Sequence, residues 1–177
     1  MPSSSLQSNP PRRAYLGDIH LSLTPAEMDR LVVRIDRSSV WGNPFRAGTQ
    51  WDPVLKRSCY VTKQTTVNLY ENLLRQRLRG TPGPILGRTS EEGKRWSYNI
   101  SQGGQSVAER EAEASLWIGR LEALAEKYLA CWCRPGELCH GDAIITLYHE
   151  LPRFTEAIRQ RQLNRAAKER ARARKEH

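Results

Sequence analysis

Apolar side chains recur most regularly between Thr65 and Arg79, where Val67, Tyr70, Leu74 and Leu78 stand at helical spacing with arginines among them. That period predicts an amphipathic helix, and Gly80 supplies its stop. Two more helices are marked by their caps. Thr24-Pro25-Ala26-Glu27 joins a capping hydroxyl, a proline at the first helical position and a reciprocating glutamate, and Ser106-Val107-Ala108-Glu109 is a second capping box. The second box opens a helix expected to turn Ala112, Leu116, Leu121 and Leu124 towards a core. The β-branched run Leu31 to Asp36 and the segment Tyr128 to Cys133 read as strands. Asp142 is placed to cap a further helix through Leu151, and Pro152 separates that helix from an arginine-rich tail.

Strands alternating with helices predict an α/β fold, with a small, mainly parallel sheet flanked by helices and a basic C-terminal helical tail. In such sheets ligands bind beyond the carboxyl ends of the strands. The loops Arg37 to Gly48 and Arg134 to Asp142 each follow a predicted strand, so parallel strands would bring both to one edge. The expected organisation is a disordered N-terminal arm at 1–13, a single α/β domain at 14–152 with a long Gly-, Pro- and Ser-rich insertion at 80–105, and a basic tail at 153–177.

Charge sharpens the division. The chain of 177 residues carries a net +9, but the tail holds nine Lys/Arg against three Asp/Glu and the arm adds Arg12 and Arg13. Residues 14–152 balance seventeen basic against sixteen acidic groups. A phosphate-neutralising footprint therefore rests on Arg159, Arg161, Arg165, Lys168, Arg170, Arg172, Arg174 and Lys175, which would contact nucleic acid; the plain alternative is a solvated helix. A mean hydropathy of -0.66 and the lack of a long apolar run argue against a membrane span. The Ser-, Pro- and Gln-rich start lacks the apolar core of a secretory signal, so a cytoplasmic location and reduced thiols are expected.

Chemistry concentrates in Cys131-Trp132-Cys133 and Cys139-His140-Gly141-Asp142. A strand at 128–133 would put the Cys131 and Cys133 sulfurs on one face, and a Pro-Gly turn would return Cys139 and His140 towards them. Cys131, Cys133, Cys139 and His140 supply the ligand count of a structural zinc site, although adjacent Cys-His is not the usual knuckle spacing. Buried cysteines acting as small hydrophobes are the alternative. Cys139 beside a histidine at a helix start is also a candidate nucleophile, and Asp142 is first a cap and second an acid-base group. The other loop offers Arg34, Arg37, Ser38 and Ser39 for a phosphate, Trp41 and Asn43 for a base or sugar, and Asp36 for acid-base catalysis. Against this, Trp41 and Phe45 would suit a core plug around a turn shaped by Gly42 and Pro44. Dinucleotide, Walker, zinc-protease and nucleophile-elbow motifs do not occur.

Arg34, the Trp41-Gly42-Asn43-Pro44-Phe45 loop, the helix containing Tyr70 and the closing CWC…CHGD segment together resemble domain of unknown function family 4326, found in bacteria and phages. The resemblance covers about Leu31 to Leu151, and the insertion at 80–105 departs from the family's compact pattern. It implies, by analogy, a phage-type protein working near nucleotides or nucleic acids in the host cytoplasm. The combined expectation is a protein that binds a nucleotide, nucleoside or nucleic-acid base and cleaves or transfers at a glycosidic or phosphate bond. The competing expectation is a non-enzymatic nucleic-acid-binding or nucleotide-sequestering module, with zinc as a candidate stabiliser. The sequence leaves its oligomeric state open.

Overall fold

A computed structural model describes residues 9–52, 57–81, 85–88, 95–98 and 106–175. In chain order the elements are β1 (Arg12–Tyr15), a single 3-10 turn (Ile19–Leu21), α1 (Pro25–Leu31), β2 (Val32–Arg34), β3 (Gly48–Asp52), β4 (Arg57–Val61), α2 (Lys63–Arg79), β5 (Ile85–Arg88), β6 (Arg95–Tyr98), α3 (Val107–Glu122), β7 (Tyr128–Cys131), α4 (His140–His149) and α5 (Leu151–Ala173). The protein is α/β, with a small three-stranded sheet in the order β1-β7-β2 flanked by helices. Both outer strands run parallel to β7, pairing Arg12 with Tyr128 and Val32 with Tyr128. β3–β4 and β5–β6 are separate antiparallel hairpins.

Both predicted capping boxes form, on Thr24 with Glu27 and on Ser106 with Glu109. α2 starts at the Thr62 cap and buries Tyr70, Leu74 and Leu78 as its period requires, with Leu69 and Leu73 widening the stripe. It is the central helix, packing against α3, α4 and α5. Leu129 and Ala130 of β7, Ile35 and the α4 residues Ile144 and Leu147 are also buried.

Several expectations are corrected. The arm at 1–13 is ordered at its end, because Arg12 and Arg13 belong to β1 and Asn9 accepts a backbone bond from Glu126 at 2.9 Å; residues 1–8 lie outside the described residues. β2 stops at Arg34 and β7 at Cys131, both short of the apolar runs that suggested them. The core face of α3 is Ala114, Trp117, Ile118 and Leu121, whereas Ala112 and Leu116 are exposed. Trp117 sets that face: it meets the edge of Trp41 at 5.4 Å and lies under the Arg77 and Arg120 guanidiniums. The insertion at 80–105 contains β5 and β6, and its remaining residues from 82 onwards lie outside the described set.

No boundary falls at residue 153. α5 runs from Leu151 through the expected break, and buried Phe154 and Ile158 join the main core. The tail is thus docked along its first half. Among the described residues no helix is long and apolar enough to cross a membrane.

Candidate functional site

The parallel register brings Arg34, Cys131 and Tyr15 to one sheet edge, where the β2 and β7 loops meet. Ile35 continues the pairing by donating its N–H to Ala130 O at 2.9 Å, while its carbonyl meets Nε2 of His140. A cleft of about 540 Å³ opens there. Arg34, Asp36, Arg37, Ser38, Asn43 and Phe45 line it from the first loop; Cys131, Trp132, Cys133, Leu138 and His140 line it from the second. Lys63, Thr66 and Val67 of α2 close the wall. The two loops singled out in the sequence are neighbours.

The first loop is held mainly by its own polar groups. Asp36 accepts from the Ser38 hydroxyl at 2.6 Å and pairs with Arg34. These contacts, Ser38 first, hold the Asp36 carboxyl below its ordinary pKa despite burial, so it stands as a carboxylate at neutral pH. Arg37 donates to Phe45 O at 3.1 Å and the Ser39 hydroxyl to Asp36 O at 2.9 Å. Buried Asn43 donates to Thr66 O at 3.1 Å and accepts from Phe45 N–H at 2.9 Å. A Cβ on Gly42 would come within 2.6 Å of Asp36 O, so this close turn admits only glycine without a shift.

Trp41 is corrected from a ligand contact to a core residue. It is 5% exposed, packs on Trp117 and does not line the cleft; its carbonyl accepts from the buried Tyr70 hydroxyl at 2.5 Å. Burial pushes the Tyr70 phenol up, keeping it a neutral donor. Ser39 is also absent from the cleft lining. The aromatic surface that the sequence reading passed over is Trp132, 62% exposed at the rim. Lys63 was missed as well. Burial disfavours its charged form, but Glu137 at 3.1 Å and the nearby thiols outweigh that and hold its pKa above the ordinary value.

In the second loop the sulfurs of Cys131, Cys133 and Cys139 all lie within 4.8 Å of one another, with 3.6 Å between Cys131 and Cys133. This cluster could hold a metal ion. His140 leaves the expected ligand set: no nitrogen of it shares that radius with all three sulfurs, and Nε2 is engaged by Ile35 O. Its ring stands edge-on to Tyr70, which links the second loop to α2.

Cys139 is corrected in two ways. It, and not Asp142, is the N-cap of α4, accepting from Gly141 N–H at 3.3 Å. At 1% exposure its thiol is pushed up in pKa, by the neighbouring Cys131 first and by burial second, which opposes a nucleophilic role. The neighbouring Cys139, then His140, pull the Cys131 thiol down. Burial, then Cys131, raises Cys133. Asp142 lies in the first turn of α4, bound by Arg13 at 2.9 Å and away from the cleft lining. Arg13 also donates to Glu137 O and Arg134 O, clamping the turn from β1.

On α5, Arg159 pairs with Glu156 and Arg165 with buried Glu111, so these two arginines are engaged within the fold. Arg161 is half-buried, whereas Lys168, Arg170, Arg172, Arg174 and Lys175 are exposed.

Fold and site together define a small parallel-sheet α/β protein with a cationic, thiol-bearing cleft at the carboxyl ends of its strands. The family described as Domain of unknown function (DUF4326) matches residues 19–150, and the chain belongs to it. The match begins ahead of α1 and ends before α5, leaving β1 and the basic helix outside. No curated protein and no solved structure matches the chain.

Proposed function

We propose that the strand-edge cleft binds a nucleotide or a related phosphorylated nucleoside. The observation that carries this reading is the joint lining of one 540 Å³ cleft by Arg34, Arg37 and Lys63 with the aromatic faces of Phe45 and Trp132. Three cations suit a phosphate through charge-assisted hydrogen bonds, and an exposed indole suits stacking on a base. Asp36, held ionised at the same wall, is the group for cleavage or transfer at a glycosidic bond, where a carboxylate stabilises developing positive charge. The exposed basic end of α5 would add contact to nucleic acid, and the work would be done in the cytoplasm, of the host where a phage encodes the protein.

Calorimetry with nucleosides, nucleotides and short DNA and RNA, followed by mass spectrometry of the returned ligands, tests this reading. Binding of a phosphorylated ligand that weakens at least about tenfold in Arg34→Ala is expected, the scale of one charge-assisted contact. Equal affinity of the variant, or no binding by the wild type, refutes it.

A second reading draws on the three-cysteine cluster: a zinc-stabilised binding module that returns its ligand unchanged. Zinc–sulfur bonds of about 2.3 Å in a tetrahedron set sulfurs about 3.8 Å apart. The Cys131–Cys133 separation of 3.6 Å fits that spacing.

A further inference from the structure

Cys131 and Cys133 line the cleft, while Cys139 stands behind them in the core as the cap of α4. A metal held by all three sulfurs has one tetrahedral position left. Among the described residues no His, Asp or Glu joins the cluster within its 4.8 Å radius, so none of them offers a fourth ligand beside the three sulfurs. His140 sits against Ile35 O and Tyr70, which fix its ring in another task. Leu138 and Trp132 line the same cleft and carry no metal-ligating side-chain atom.

Resting on the metal reading of the cluster, we infer that Cys131, Cys133 and Cys139 hold one zinc ion whose fourth position opens into the cleft and takes an exchangeable ligand, water at rest. A closed structural site would fill all four positions from the chain; three protein ligands and an open position are the arrangement of substrate-facing zinc. Zinc with three thiolates carries a net negative charge, and Lys63, whose ammonium feels Cys133 and Cys139, partly offsets it. The exchangeable position therefore favours a neutral or soft donor arriving through the cleft over a hard anion.

The test uses the full chain, reduced and freed of metal, then titrated with cobalt(II) as a spectroscopic stand-in. One equivalent of cobalt with intense tetrahedral and thiolate charge-transfer bands is expected, at least about tenfold weaker in Cys133→Ser, the scale on which ligand-shell changes act. Imidazole, a neutral probe small enough for the cleft, should shift the d–d bands of the wild type. No stoichiometric cobalt or zinc overturns both the metal reading and the open position. Tight cobalt binding with bands indifferent to imidazole overturns only the open position, as does a cobalt spectrum in His140→Ala showing the loss of a nitrogen ligand. Nucleotide calorimetry on the metal-free and zinc-loaded forms is read separately, so failure of the nucleotide proposal leaves the cobalt result standing.

Discussion

The β2 and β7 loops share one edge and use their side chains in opposite ways. In the first, Ser38, Ser39, Asp36, Asn43 and Arg37 all bond within the loop or to α2, and the aromatic Trp41 is in the core. In the second, the turn is clamped from outside by Arg13 and Lys63, three thiols cluster together, and the aromatic Trp132 is exposed. A loop that satisfies its own polar groups is rigid and presents a fixed surface; a loop held by its neighbours can keep reactive groups uncommitted. One wall of the cleft is accordingly a preorganised polar surface, and the other brings the clustered thiols and an exposed aromatic ring.

The two tryptophans give the sharpest way to break this contrast. Trp41→Ala should cost about 3–5 kcal/mol in urea unfolding, because it empties a buried aromatic site. Trp132→Ala should change stability by under about 0.5 kcal/mol, as surface substitutions do, and weaken the cleft ligand instead. Equal stability losses would erase the distinction between the walls.

Asn43→Ala comes next, with a loss of about 1–3 kcal/mol, since it removes the two buried side-chain hydrogen bonds that join the loop to Thr66 O and to Phe45 N–H. Chemical denaturation measures it, and a neutral outcome would mean the first loop is not held from within.

Acid titration probes the same loop. Asp36 has a lowered pKa in the folded protein, so its stabilising contribution is complete above the unfolded carboxyl value of about 3.9 and is lost as pH falls through the folded value. Glu150, lowered chiefly by Arg75, acts in the same direction. Stability of the wild type should fall more steeply than that of Asp36→Asn between about pH 5 and pH 2. Parallel pH curves would remove Asp36 from the account.

The smallest effect is expected outside the cleft. Deleting residues 168–177, beyond the Arg165–Glu111 pair, should alter stability by under about 0.5 kcal/mol and reduce the salt dependence of any nucleic-acid binding.

The sequence made the strand-edge site legible because parallel alternation and two loops with unusual residues are local signals. It misassigned Trp41 because a Trp between Val40 and Gly42 looks the same whether it plugs a core or faces a ligand; only Trp117, seventy-six positions on, decides. The face of α3 was misread for a related reason. Leu116 is as apolar as Ile118, and the choice between them depends on where Trp117 and α5 pack. His140 was counted as a ligand by proximity along the chain, but its competing acceptor, Ile35 O, lies in a different strand loop. The hairpin Gly48–Asp52 with Arg57–Val61 has no strong alternation and went unseen.

The strand order has a consequence for how the chain is made. Among the described residues β1 and β2 do not pair with each other in the sheet; each pairs with β7, which is made after both of them. Until residue 131 emerges, neither early strand has its partner, and their unpaired edges must wait through the synthesis of α2 and α3. The sheet is thus a late, high-contact-order event, and β7 completes it in the same stroke that brings Cys131 to the cleft. A chain interrupted before β7 lacks both the fold's centre and the first of its clustered thiols, so a truncated product cannot display half a site.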